Sequence, residues 1–96
     1  GWGTAKDLKK AYAYFGQAAK LGHVPSQKEY GAALALGEGV DQDAPEGLKW
    51  LIIAAQNGHE GAAQFAGIFS KSFPRRQVAA ARRAASRWNR ANKKKE

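Results

Sequence analysis

For acid-base or metal chemistry this chain offers two histidines and eight carboxylates, with no cysteine. His23 and His59 each follow a glycine that stops a helix, at the same place in two similar stretches. That spacing holds them about one repeat apart, too far to ligate one ion, and both read as structural or solvated. Asp7 and Asp43 stand where helix caps are due. Glu38 and Asp41 share a loop with no base or nucleophile near them, so no acid-base pair is formed. Gly37-Glu38-Gly39-Val40 is not a phosphate loop, because no strand precedes it and no further spaced glycine opens a helix directly after it. Without cysteine there is no thiolate nucleophile, no disulfide framework and no cysteine zinc site. No catalytic, metal-binding or cofactor-binding residue is assigned, and the chain reads as a non-enzyme.

The other chemistry available is ionic. The net charge is +8, yet residues 1–73 carry seven lysines against seven acids. The whole excess lies in residues 74–96, where six arginines and three lysines face Glu96 alone. Placed at 100° per residue on a helix, Arg75, Arg76, Arg82, Arg83, Arg87 and Arg90 share one arc, while Val78, Ala81, Ala85 and Trp88 gather on the other. Arginine pairs in bidentate fashion with carboxylate or phosphate, so this arc is a candidate contact for an anionic partner. No aromatic residue is interleaved with the arginines to stack a base, which ranks an acidic protein surface ahead of nucleic acid. The opposite face, mostly alanine, offers little area for partitioning into an acidic lipid surface.

These residues are carried by a repeat. Sliding the sequence along itself by 36 residues gives eight identities: Gly1/Gly37, Gly3/Gly39, Asp7/Asp43, Ala18/Ala54, Ala19/Ala55, Gly22/Gly58, His23/His59 and Gly31/Gly67. Glycines, a cap and paired alanines are positions where backbone geometry or close packing limits the choice, and a fixed period of this size marks a solenoid. Hydrophobic spacing and stop signals predict helices from Asp7 to Leu21, Pro25 to Leu36, Ala44 to Asn57 and His59 to Lys71. Asp43-Ala44-Pro45-Glu46 reads as a reciprocal capping box. A further Gly-x-Gly loop and an Asp cap at position 79 are due but absent; Ser72-Phe73-Pro74 starts a new helix seven residues early. The fold class is therefore all-α: an α-α superhelix, a short two-helix-repeat solenoid of period 36, closed by a basic C-terminal helix. The repeat region spans 1–73, the basic amphipathic capping helix 74–92 and a basic tail 93–96. No apolar run reaches the ~18 residues that span a bilayer. The chain reads as soluble, and its compartment is left open.

The ordered set Gly37, Gly39, Val40, Asp43, Trp50, Ala54, Ala55 and Gly58, with Ala33 to Leu36 before it, resembles the Sel-one-like repeat, a relative of the tetratricopeptide repeat. The likeness covers residues 1 to about 72, as one complete repeat and two halves, and leaves the arginine helix without a counterpart. Gly47 stands where that family usually has Ala, Thr4 stands for Val in the first loop, and Gly31 is shifted from the usual Leu-Gly. The resemblance implies right-handed α-α superhelices that act as protein-binding scaffolds with no chemistry of their own.

Four structural expectations follow. Trp50 and Tyr14, at matched positions, are packing anchors rather than a binding platform. Gly31 and Gly67 mark close helix approaches, with Asp7 and Gly22 bounding the first helix. The final helix docks through Val78, Ala81, Ala85 and Trp88 over Phe65, Ile68 and Phe69, leaving its arginines outside. The chain opens inside a repeat loop and reads as the tail of a longer array or a trimmed product, so Tyr12, Tyr14 and Phe15 stay partly exposed and stability is low. The function read from these features is a protein-protein interaction module, an adaptor, scaffold or accessory subunit without cofactor. The alternative is an anion-binding module that uses the C-terminal helix on nucleic acid or an acidic membrane surface.

Overall fold

The computed structural model describes residues 5–92. The first repeat loop, including Gly1 and Gly3, the tail 93–96 and the side chain of Asp7 lie outside the described residues. Five helices follow one another: α1 (Ala5–Lys20), α2 (Val24–Leu36), α3 (Ala44–Gln56), α4 (Glu60–Ser72) and α5 (Arg75–Asn92). Adjacent helices pack in an all-α helical repeat, with α3 at the centre against α2, α4 and α5. The all-round apolar character of α3 has its explanation there, since a helix with neighbours on several sides has no wet stripe to keep polar. Leu48, Trp50, Leu51, Ile53 and Ala54 are all within 1% of complete burial.

The turns repeat as the sequence does. Gly22 and Gly58 both adopt φ +96°, the left-handed conformation that ends a helix and is open to glycine at little cost. The amides of His23 and His59 then donate back to the carbonyls of Ala18 and Ala54, each at 3.0 Å. The identity of both residue pairs is thus the identity of one helix stop used twice. Between α2 and α3 the chain needs a longer reversal, made by Gly37 (φ +71°) and Gly39 (φ +76°). Asp43 closes it, donating its amide to the Leu34 carbonyl at 2.8 Å.

One cap differs from expectation. Asp43 caps α3, its Oδ1 accepting from the Glu46 amide at 3.2 Å. The reciprocal half of the box is not made, because the Glu46 carboxylate turns to Lys49 Nζ at 2.7 Å. The cap expected at Asp7 falls on a side chain outside the described residues. The α1 backbone already includes Ala5 and Lys6, which places position 7 within its first turn.

Candidate functional site

The α3–α5 contact is built from small residues and one aromatic pair. Ala81 and Ala85 are buried at 2% and 0% exposure, letting the helices approach closely, and Val78 and Trp88 pack partly buried against the same core. The Trp88 ring meets Trp50 edge-on at 5.4 Å, and Trp50 meets Tyr30 edge-on at 6.2 Å. Trp50 is therefore an anchor held from two sides. Tyr14, its repeat counterpart, is 69% exposed and meets its neighbour Phe15 edge-on at 6.3 Å, since among the described residues no helix lies over that side of α1. Tyr12 and Phe15 are half-buried beside it.

The packing corrects the expected docking of α5, which lies against α3 and not along α4. Ile68 is 59% exposed, and Phe69 is covered by its own neighbours, stacked between Phe65 at 6.1 Å and Phe73 at 5.5 Å. The connector gives the reason. Phe73 is extended (φ −94°, ψ 152°), as a residue before proline tends to be, and no glycine in Ser72-Phe73-Pro74 can make the left-handed reversal used at Gly37 and Gly39. The chain leaves α4 without folding back along it.

Side-chain amides stitch the ends of α3 and α5, a feature that sequence reading passed over. Asn57 Nδ2 donates to the Ile53 carbonyl at 2.8 Å and to Asn89 Oδ1 at 3.1 Å, while Asn89 Nδ2 donates to Gln56 Oε1. The histidines have a specific structural role. Each is the N-cap of the next helix, His23 Nδ1 accepting from the Ser26 amide at 3.3 Å and His59 Nδ1 from the Ala62 amide at 3.0 Å. Their place just before a helix start was the available signal, obscured because histidine is not among the favoured cap residues.

Gly39 has a second role besides its φ. A Cβ there would lie 2.5 Å from Tyr12 Cδ2 and 3.1 Å from Leu8 Cβ, so the loop rests on α1. Val40 packs partly buried on the core from this loop. Tyr12 Oη donates to Glu38 Oε1 at 3.3 Å. Partial burial, and then the negative charge and hydrogen bond of Glu38, push the Tyr12 phenol above its ordinary value. In the core, Ala55 is partly buried beside fully buried Ala54.

The two interior glycines part company. A Cβ on Gly31 would meet the Gly47 carbonyl oxygen at 2.8 Å and Leu51 Cγ at 3.0 Å, so α2 and α3 cross there at backbone contact. A Cβ on Gly67 would meet nothing within 4 Å. The close approach expected at Gly67 is absent, because the helix that would cross it is the one that docks elsewhere.

All six arginines of α5, Arg75, Arg76, Arg82, Arg83, Arg87 and Arg90, are exposed. The ion pairs among the described residues lie elsewhere, at Lys28–Glu29 (3.0 Å) and Lys49–Glu46 (2.7 Å). Among the described residues no cluster of three or more His, Asp or Glu side chains is arranged to hold a metal ion. Nor is any described helix long and apolar enough to cross a membrane.

The Sel1 repeat profile matches residues 1–23 and 24–59, which is more than half of the chain. The chain belongs to the Sel1 repeat family. The second match runs from the start of α2 through the turn after α3, one full period long, so the α2–α3 pair is the complete Sel1 repeat and α1 is the closing part of the one before it. Helices α4 and α5 lie beyond the matched residues. A search of curated proteins finds no significant match. Sel1 repeats generally mediate protein-protein interaction and are generally non-catalytic.

Proposed function

We propose that this Sel1 repeat chain is a non-enzymatic protein-interaction module, serving as an adaptor, scaffold or accessory subunit of a larger complex, and that its partner presents an acidic surface. Membership of the Sel1 repeat family carries the first part. The second is supported by six exposed arginines on α5 that have no carboxylate beside them among the described residues. On this reading Ala81, Ala85, Val78 and Trp88 form the capping face and the arginine arc the contact face. The test is capture of partners from lysate on the immobilised chain with and without residues 74–96, followed by calorimetry with the purified partner. A protein that binds the full chain and weakens without 74–96 supports the reading.

The same arginines favour a second reading, anion binding to nucleic acid or an acidic membrane. Direct titration with RNA, DNA and acidic vesicles separates the two: on the second reading one of them binds and loses about 10³-fold in affinity between 50 and 200 mM salt, whereas on the first none binds as tightly as the protein partner. Trp88 is committed to Trp50 and gives no base-stacking platform, which places the protein partner first.

A further inference from the structure

The repeat symmetry points to a vacant helix seat. The face of α2 that receives α3 runs along Gln27, Tyr30, Gly31, Leu34 and Ala35, with the crossing at Gly31 and Ala35: a Cβ on Gly47 of α3 would lie 2.6 Å from the Ala35 amide nitrogen and 2.6 Å from the Gly31 carbonyl oxygen. One period later the same positions on α4 are Ala63, Ala66, Gly67, Ser70 and Lys71. These five line one wall of an open groove of about 740 Å³, floored by Ile52 and Ala55 of α3 and walled opposite by Arg82 and Ser86 of α5. The α4 face that would hold the next crossing helix is therefore formed, with Ala66 buried at its base and Ala63, Gly67 and Lys71 exposed. Gly67 keeps the absent side chain that lets a helix backbone approach, although nothing in this chain approaches it.

The groove differs from the α2 face in a way that identifies its occupant. Where Ala35 meets α3, the equivalent residue is Lys71, and Arg82 faces it from α5; no carboxylate lines the groove. We propose that the groove between α4 and α5 seats an acidic amphipathic helix of a partner protein, crossing α4 at Gly67 as α3 crosses α2 at Gly31. The helix carries Gly at the crossing, apolar residues toward Ile52, Ala55 and Ala66, and carboxylates toward Lys71 and Arg82. A larger residue at the crossing is excluded by the backbone distances seen at Gly31, and a basic helix by the two cations. This rests on the protein-interaction reading above and supplies the site and the chemistry of its partner.

The test uses the full chain and a display library of helical peptides about 16 residues long, near the length at which an isolated helix holds in water. Each peptide has Gly fixed at the crossing, Glu on both flanks and varied apolar positions. Selected binders are measured by fluorescence anisotropy. Gly67→Leu, which meets open space and should leave the melting curve and circular dichroism unchanged, is expected to weaken binding at least tenfold, as overpacking of a close contact does. Lys71→Glu with Arg82→Glu is expected to weaken it by a similar factor and to be rescued by peptides with Lys in place of Glu. The proposal is overturned if no binder is selected, if all binders tolerate Gly67→Leu, or if Gly67→Leu instead dissolves a dimer of the chain, which would make a second copy the occupant. A purified partner that binds wild type and Gly67→Leu equally well would end this proposal and leave the protein-interaction reading standing. RNA binding with no peptide or protein bound would end both.

Discussion

The two helix pairs α2–α3 and α4–α5 begin alike and end differently. Each first helix is capped by a histidine and carries a mid-helix glycine at the same repeat position. In the first pair a seven-residue loop, Gly37–Asp43, turns the chain through two left-handed glycines, and α3 returns along α2 in backbone contact. In the second pair Phe73 and Pro74 replace that loop, and α5 passes on to α3. The difference teaches that the connector decides where the next helix packs, even when the helix before it still has the surface of an internal repeat. Helix α5 turns Ala81 and Ala85 inward and its six arginines toward water.

The largest test of this comparison lies at matched aromatic positions. Trp50→Ala, removing a side chain 1% exposed and held between two aromatics, should destabilise by about 3–5 kcal/mol. Tyr14→Ala, at the equivalent but exposed position of α1, should cost well under about 1 kcal/mol. Equal losses in chemical denaturation would show that α1 is covered as α3 is. The glycine pair comes next. Gly31→Leu forces a side chain into the Gly47 carbonyl and should cost about 3 kcal/mol, whereas Gly67→Leu should leave the denaturation midpoint within about 0.5 kcal/mol of wild type. A destabilising Gly67→Leu would mean that α5 returns to α4 after all.

Trp88→Ala should cost about 2 kcal/mol, less than a fully enclosed tryptophan because the ring is only partly buried and keeps one principal partner in Trp50. Arg83→Ala and Arg87→Ala should be nearly silent in the same melts. The reverse order would reject the assignment of capping and outward faces on α5. The smallest effect concerns the caps. Asp43→Ala, and separately His59→Ala, should each cost about 1 kcal/mol, while Asp7→Ala, within the first turn of its helix, should change stability by a few tenths of a kcal/mol. A full-sized loss at Asp7 would show that it closes α1 as Asp43 closes α3.

Much of this was legible beforehand because it is local. The period of 36, the helix stops at Gly22 and Gly58, the cap at Asp43 and the division of α5 into alanine and arginine faces all follow from φ preferences and helical spacing within a few residues. The early start at Pro74 was equally plain. Its consequence was not, because whether α5 covers α4 or α3 depends on the direction in which the connector releases the chain and on which apolar surface lies within reach. Gly67 is the clearest case. In sequence it is the twin of Gly31, and only the tertiary structure distinguishes a glycine pressed against a neighbouring backbone from one that faces open space. The amide stitching of Gln56, Asn57 and Asn89 belongs with it, since those groups are more than 30 residues apart and have no meaning until α5 is placed. Sequence determined the helices, their period and where the charge lies; the tertiary structure decided which helices meet, because packing joins surfaces that no short-range rule connects.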